Sequence, residues 1–144
     1  MVNFIFLTTD FYNDYKHCTE IEQKENRPYA MVLATINNID FAIPLRSNIN
    51  HKHVVWTDEP NKCGLDLSKT IVISDKKHIE ITKVPYIRQI EFDALRGKEH
   101  FIKQRLESYI RHYMKALGKQ QYAEKALLCK YSTLQYFHNE LGIV

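Results

Sequence analysis

Residues 41–56 read FAIPLRSNINHKHVVW, and the fold on either side follows from how this stretch is parsed. Phe41–Leu45 is an apolar, strand-like run that stops after Pro44. A polar, basic segment follows, with Arg46, Ser47, Asn48, Asn50, His51, Lys52 and His53, and Val54 opens a second apolar run. Two strands joined by a short basic loop is the reading. Upstream, Tyr29–Ile36 is rich in β-formers, and Asn37-Asn38 separates it from Ile39–Leu45. Asparagine tolerates the left-handed backbone of tight turns, so the two runs are expected to form a β-hairpin. Downstream, a strand is expected at His53–Thr57, turns over Asp58–Gly64, and a strand holding a kink over Leu65–Ile73.

Working outward, Val2–Leu7 reads as a first strand, and Thr8, Thr9 and Asp10 offer caps for a helix reaching Cys18. Glu20 to Arg27 is charged and reads as a loop ended by Pro28. Ile79–Val84 and Ile87–Leu95 carry Ile or Phe on alternating positions and read either as strands or as the starts of helices, with strands favoured. From Gly97 the apolar period changes to three or four: Phe101, Ile102, Leu106, Tyr109, Ile110, Tyr113, Met114 and Leu117 form one helical stripe. A second helix is expected over Gln121–Glu140, with Ala123, Leu127, Leu134, Phe137 and Leu141 inward. Strands in a run followed by helices in a run give an α+β domain, a mainly antiparallel sheet with C-terminal helices.

The chain's 144 residues are enough for a core and most simply one domain, 1–144. Phe4–Leu7 is too short for a signal peptide or a membrane span, so a cytoplasmic protein is expected. The three cysteines show no Cys-x-x-Cys spacing and read as reduced, part-buried thiols. No glycine-rich phosphate loop occurs. Net charge is only +3, but residues 83–130 carry eleven Lys/Arg against five Asp/Glu, an excess of six. A basic half suggests a polyanion partner; solvated helix faces explain it equally well.

The residues of the basic loop suit metal-independent cleavage of RNA. The 2′-hydroxyl is then the nucleophile; a base takes its proton, an acid protonates the leaving 5′-oxygen, and cations meet charge on the phosphoryl oxygens. Arg46 and Lys52 are candidates for the cations, His51 or His53 for proton transfer, and Ser47 for a phosphate oxygen or the 2′-hydroxyl. The bland readings stand beside these. The loop can be merely exposed and basic, Ser47-Asn48 can be a side-chain turn, His53 can alternate outward from its strand, and Trp56 suits a core better than a base-stacking platform. Tyr29, at a strand start, can reach a surface site. His-Lys-His lacks further ligands at metal spacing, and Ser47 lacks the glycine-flanked elbow of a serine hydrolase. No metal or cofactor is expected.

Arg27-Pro-Tyr-Ala-Met-Val-Leu, Phe41-Ala-Ile-Pro-Leu-Arg-Ser-Asn-Ile, His51-Lys-His and Cys63-Gly-Leu-Asp-Leu-Ser-Lys-Thr, in this order, resemble the toxins of type III (RNA-antitoxin) toxin–antitoxin systems. The branch they most resemble is the TenpN family, related to ToxN and the phage-resistance protein AbiQ. The resemblance covers most of the chain and rests on the joint order of short motifs. It implies a strongly twisted sheet of the MazF/Kid-like barrel type and a metal-independent, sequence-selective endoribonuclease leaving a 2′,3′-cyclic phosphate. It also implies a small structured antitoxin RNA, processed by the toxin and closed with it into an inactive complex, with mRNA as substrate, no DNA, and a role in growth inhibition or phage defence. Ser47 matches the serine of the family's Pro-Leu-x-Ser loop, and Tyr29 the tyrosine opening the preceding strand. ToxN-like members have threonine before that serine and a lysine soon after it. Here Arg46 precedes Ser47, and Lys52 follows five positions later beside His51. A nucleic-acid-binding module without chemistry, or a protein-interaction domain, are the competing readings.

Overall fold

The computed structural model describes residues 1–21 and 29–143, so the loop expected between Glu20 and Pro28 lies almost wholly outside the described residues. Seven strands form one sheet: β1 (Asn3–Leu7), β2 (Met31–Ile36), β3 (Ile39–Arg46), β4 (Val54–Asp58), β5 (Cys63–Asp66), β6 (Ile71–Ile73) and β7 (Ile79–Glu80). Their order is β4-β5-β3-β2-β1-β7, with β6 also on β3, and every pairing is antiparallel. Helices α1 (Thr9–Asp14), α2 (Gln89–Leu95), α3 (Glu99–Leu117), α4 (Ala123–Tyr131) and α5 (His138–Leu141) complete an α+β fold. The barrel closure implied by the resemblance is not seen. β4 and β7 stand at opposite ends of the strand order and do not pair with each other.

The β2–β3 hairpin forms as expected. Asn37 and Asn38 both take left-handed backbone (φ 51° and 65°), and Ile36 faces Ile39. That double left-handed turn matches the twist of the flanking strands. Pro44 sits inside β3 without breaking it, for a local reason. The Leu45 N–H points to β2, donating to the Ala30 carbonyl at 2.9 Å, so the N–H that proline lacks falls on the opposite edge. There β6 pairs only with residues 40–42 and β5 only with 45–46. The proline occupies the gap.

That gap exists because the expected kinked strand 65–73 is two strands joined by a 3₁₀ turn at Leu67–Lys69. Asp66 caps the turn, its carboxylate accepting the Ser68 N–H. The chain forks at Pro44 and places the Asp66 turn in the fork, against the end of β3. The core runs beneath. Phe11, Phe41, Ile43, Leu65, Ile71, Leu95, Ile102, Leu106, Tyr113, Leu134 and Phe137 are all fully buried. On α3, Ile102, Leu106, Tyr109 and Tyr113 take the inward face at spacings of three and four, whereas Phe101 and Met114 lie out. Full burial contributes about 1.5–3 kcal/mol for each such aliphatic side chain. Trp56 is only partly covered.

Three expected elements differ. Residues 87–95 are not a strand; α2 spans Gln89–Leu95. Its alternation is an accident of short length, for what fixes it is Glu91 and Leu95, four apart and both buried. Glu91 accepts the Thr57 hydroxyl at 2.6 Å and the Arg88 guanidinium at 3.1 Å. Gly97, at φ 71°, supplies the left-handed residue just beyond. Of Ile79–Val84, only Ile79 and Glu80 pair, because β1 ends where Thr8 caps α1. Glu80 then turns the chain by accepting both the N–H and the hydroxyl of Thr82. The helix expected over 121–140 breaks at Ser132, whose Oγ accepts the Leu134 N–H and the Tyr109 hydroxyl, while the Thr133 hydroxyl bonds the Ser68 and Thr70 carbonyls. Such side-chain bonds compete with helix. Ala123 and Leu127, expected inward, are consequently exposed.

Candidate functional site: a cationic cavity beside the Asp66 turn

Between the end of β3, the loop after it, α3 and α4 lies a cavity of about 760 Å³. Its size suits a small ligand or a segment of a larger one. Among the described residues, five Lys/Arg (Arg46, Lys52, Lys69, Arg105, Lys125) and three histidines (His51, His53, His112) line it, against one carboxylate, Glu124. A concave surface so biased in sign focuses a field that attracts anions.

The loop is held by its own residues. Asn48 takes left-handed backbone (φ 59°), and Ile49 is buried with its N–H on the Lys62 carbonyl at 3.1 Å. Lys62 Nζ donates to Asn50 Oδ1 at 2.9 Å. Beneath the loop, Asp66 is the buried centre. One carboxylate oxygen accepts Arg46 Nη1 at 2.6 Å; the other accepts Ser68 Oγ at 2.6 Å and the Ser68 N–H at 3.0 Å, with His51 Nε2 at 3.2 Å. Burial pushes the Asp66 carboxyl up, but the bonds from His51, Ser68 and Arg46 outweigh it and hold the group below the usual carboxylate range. Asp66 therefore stays ionised and saturated. It positions its partners and does not take protons.

The His51 tautomer follows from the same geometry. Nδ1 accepts the His53 N–H at 3.1 Å, so the ring proton sits on Nε2, facing Asp66 and, at 3.3 Å, Ser68 Oγ. Both ring nitrogens are engaged. His51 thus fixes the loop and has no lone pair to spare for substrate.

His53 differs. Its ring packs edge-on against Tyr109 at 5.3 Å and lies 5.7 Å from the His51 ring. Burial lowers its pKa to about 4, and His51, Lys52 and His112 nearby reinforce the shift. At neutral pH it is an uncharged imidazole among cations. Arg105 spends one nitrogen on the Val54 carbonyl at 2.9 Å, and Lys69 Nζ donates to the Tyr131 carbonyl at 3.2 Å.

The structure thus brings together three of the five expected site residues, Arg46, His51 and Lys52. Tyr29 lies on the other side of Arg46, whose guanidinium stands 6.0 Å from its ring centroid; both line a separate, much smaller cavity. Ser47 is exposed and does not line the main cavity. His53, read as alternating outward, faces inward instead. Asp66, Ser68, Arg105 and His112 are not singled out as site residues by the sequence, and Tyr109 reads there only as part of the apolar stripe of α3. The Asp66-x-Ser68 spacing was a usable signal, since an aspartate two residues before an N–H commonly caps a turn; the α3 residues carried none.

The three cysteines are free and buried, and among the described residues no cluster of three His, Cys, Asp or Glu is placed to hold a metal ion. No helix among the described residues is long and apolar enough to cross a membrane. No family model, curated protein or solved structure matches this chain.

Proposed function

We propose that this chain is a metal-independent endoribonuclease, the toxin of a type III toxin–antitoxin system, and that the cationic cavity is where it engages RNA. The observation that carries the reading is the cavity itself, whose lining brings His53 and His112 together with Lys52 and Arg105. In cleavage the 2′-oxygen bonds to the adjacent phosphorus and the 5′-oxygen leaves, giving a 2′,3′-cyclic phosphate and a 5′-hydroxyl. His53 takes the 2′-hydroxyl proton, His112 is the candidate to protonate the leaving oxygen, and Lys52 and Arg105 meet charge on the phosphoryl oxygens. A pKa near 4 makes a weak base in the free protein. Burial is the main cause of that depression; a bound phosphodiester opposes the smaller part that His51, Lys52 and His112 contribute, and moves His53 upward by that part. In this reading Asp66 is a positioning residue acting through Arg46 and His51. A small structured antitoxin RNA inhibits by filling the same groove and is processed there. Kinship with the MazF/Kid-like toxins is part of the proposal, with β4 and β7 as the edges that a barrel would join.

The same cations suit an RNA-binding module without chemistry, and the weakness of His53 as a base is what favours that alternative. Expressing the wild-type chain, His53→Ala, Lys52→Ala and Ser47→Ala, with end-mapping of cellular RNA, separates them. Discrete cuts with cyclic-phosphate ends in the wild type, lost with His53→Ala and Lys52→Ala, uphold the proposal. If Ser47→Ala alone abolishes cutting, the scissile phosphate lies at the exposed loop outside this cavity; if an added Tyr29→Phe alone does so, it lies on the Tyr29 side of Arg46. Uncut RNA with the folded wild type establishes the binding module.

A further inference from the structure

The cavity has a second wall that phosphate chemistry leaves unused. On α4, Leu127 is 52% and Tyr131 50% exposed, and with Leu128 they add apolar surface to the lining of the cationic cavity. An amphipathic helix ordinarily turns such residues to the core, and Leu127 is placed for that in the sequence pattern. The helix break at Ser132 prevents it, because Ser132 is tied to Tyr109 and Thr133 to the carbonyls of the 67–70 turn. The same ties, with the bond from Lys69 Nζ to the Tyr131 carbonyl, pin the apolar surface beside the Asp66-capped turn. A half-exposed aromatic ring in the lining of a cationic cavity suits one ligand chemistry closely: an anion carrying a flat π-system.

We infer that Tyr131, backed by Leu127 and Leu128, is a stacking platform for a single nucleobase, and that the cavity takes one nucleotide with its phosphate toward Lys52 and Arg105. This rests on the proposed RNA site but not on cleavage. Stacking of a base on an aromatic side chain is sequence-tolerant and supplies affinity that a bare phosphate lacks. Lys130 Nζ lies 5.3 Å from the Tyr131 centroid, so that ring is already in contact with one cation from its own helix.

The test is titration of the full chain at low salt with adenosine 3′-monophosphate, ribose 5-phosphate and octyl phosphate, followed by calorimetry or chemical-shift changes. The nucleotide is expected to bind about 5- to 150-fold more tightly than ribose 5-phosphate, the range that one stacked base contributes. Tyr131→Ala should erase that preference while leaving ribose 5-phosphate affinity unchanged, and Tyr131→Phe should keep it. Lys52→Ala should weaken both ligands alike. Equal binding of nucleotide and ribose 5-phosphate by the wild type overturns the inference, as does a preference that survives Tyr131→Ala. Octyl phosphate binding as tightly as the nucleotide also overturns it, marking a general site for amphipathic anions. Digestion of an RNA oligonucleotide run in parallel keeps the two readings apart. Cleavage without base-dependent binding refutes the platform alone, and base-dependent binding without cleavage refutes the ribonuclease alone.

Discussion

Replacing Asp66 tests the construction of the site more directly than any change in the cavity itself. The carboxylate is fully buried and accepts bonds from Arg46, His51, and both the N–H and hydroxyl of Ser68. Asp66→Ala removes the buried carboxylate that accepts Arg46 Nη1 at 2.6 Å, and the Arg46 side chain is only 22% exposed. Removing one partner of a buried ion pair typically costs about 3–5 kcal/mol, because the remaining charge stays desolvated. The lost turn cap, about 1 kcal/mol alone, overlaps with that figure rather than adding to it. A loss of about 3–5 kcal/mol should lower the melting temperature by about 6–20 °C for a chain of this size. The assay is urea and thermal unfolding of Asp66→Ala, Arg46→Met and the double variant Arg46→Met/Asp66→Ala. The double variant should be more stable than the sum of the single losses by at least about 1 kcal/mol, since neither charge is then left alone. An Asp66→Ala loss below about 1 kcal/mol, or additivity within about 0.5 kcal/mol, refutes the assignment of Asp66 as the buried centre. The pH dependence carries the same information. A carboxyl lowered in the folded state stabilises above its unfolded pKa and loses that contribution as pH falls through the folded value. Wild type should therefore lose acid stability over a window where Asp66→Asn is flatter.

His53 acts in the same direction, over a window set by its own pKa. With its pKa lowered to about 4, the folded protein binds fewer protons than the unfolded chain between about pH 6.5 and 4. Stability should fall as pH drops through that window, and His53→Gln should flatten the slope; an NMR titration of the free ring near pH 6.5 would refute the placement. Adding an oligonucleotide should raise the titration midpoint of His53, since a phosphodiester opposes the surrounding cations. Gly64→Ala should destabilise by about 1–3 kcal/mol in urea unfolding, because a Cβ there would stand 2.5 Å from the Val55 carbonyl oxygen; an unchanged midpoint would show that β4 and β5 are not in the stated register. Lys52→Ala and Arg105→Ala should each reduce the salt dependence of RNA binding by about one unit of slope. Unchanged slopes would move the RNA off this wall.

The elements legible in sequence were those whose signal is local. Asn37-Asn38 dictates its own turn, the stripe from Ile102 to Tyr113 dictates α3, and together they give the α+β order. Where residues are set by distant partners, the pattern misled. Residues 87–95 alternate like a strand, yet Glu91 is drawn into a helix by Thr57 and Arg88. Residues 121–140 have helical spacing, yet Ser132 and Thr133 trade helix for bonds to α3 and to the turn after β5.

The site divides the same way. By itself the sequence determined that a basic loop follows a hairpin, because short-range turn chemistry and strand periodicity are written in consecutive residues, and Arg46, His51 and Lys52 stand together for that reason. Only the tertiary structure decided what they face. Asp66 lies 20 residues beyond Arg46, and Arg105 and His112 lie on a helix that no local pattern ties to the loop. Burial decided their chemistry as well: it makes Asp66 a saturated anchor, occupies both nitrogens of His51, and leaves His53 neutral among cations. Such desolvation depends on the whole packed surround, which neighbours in sequence do not encode.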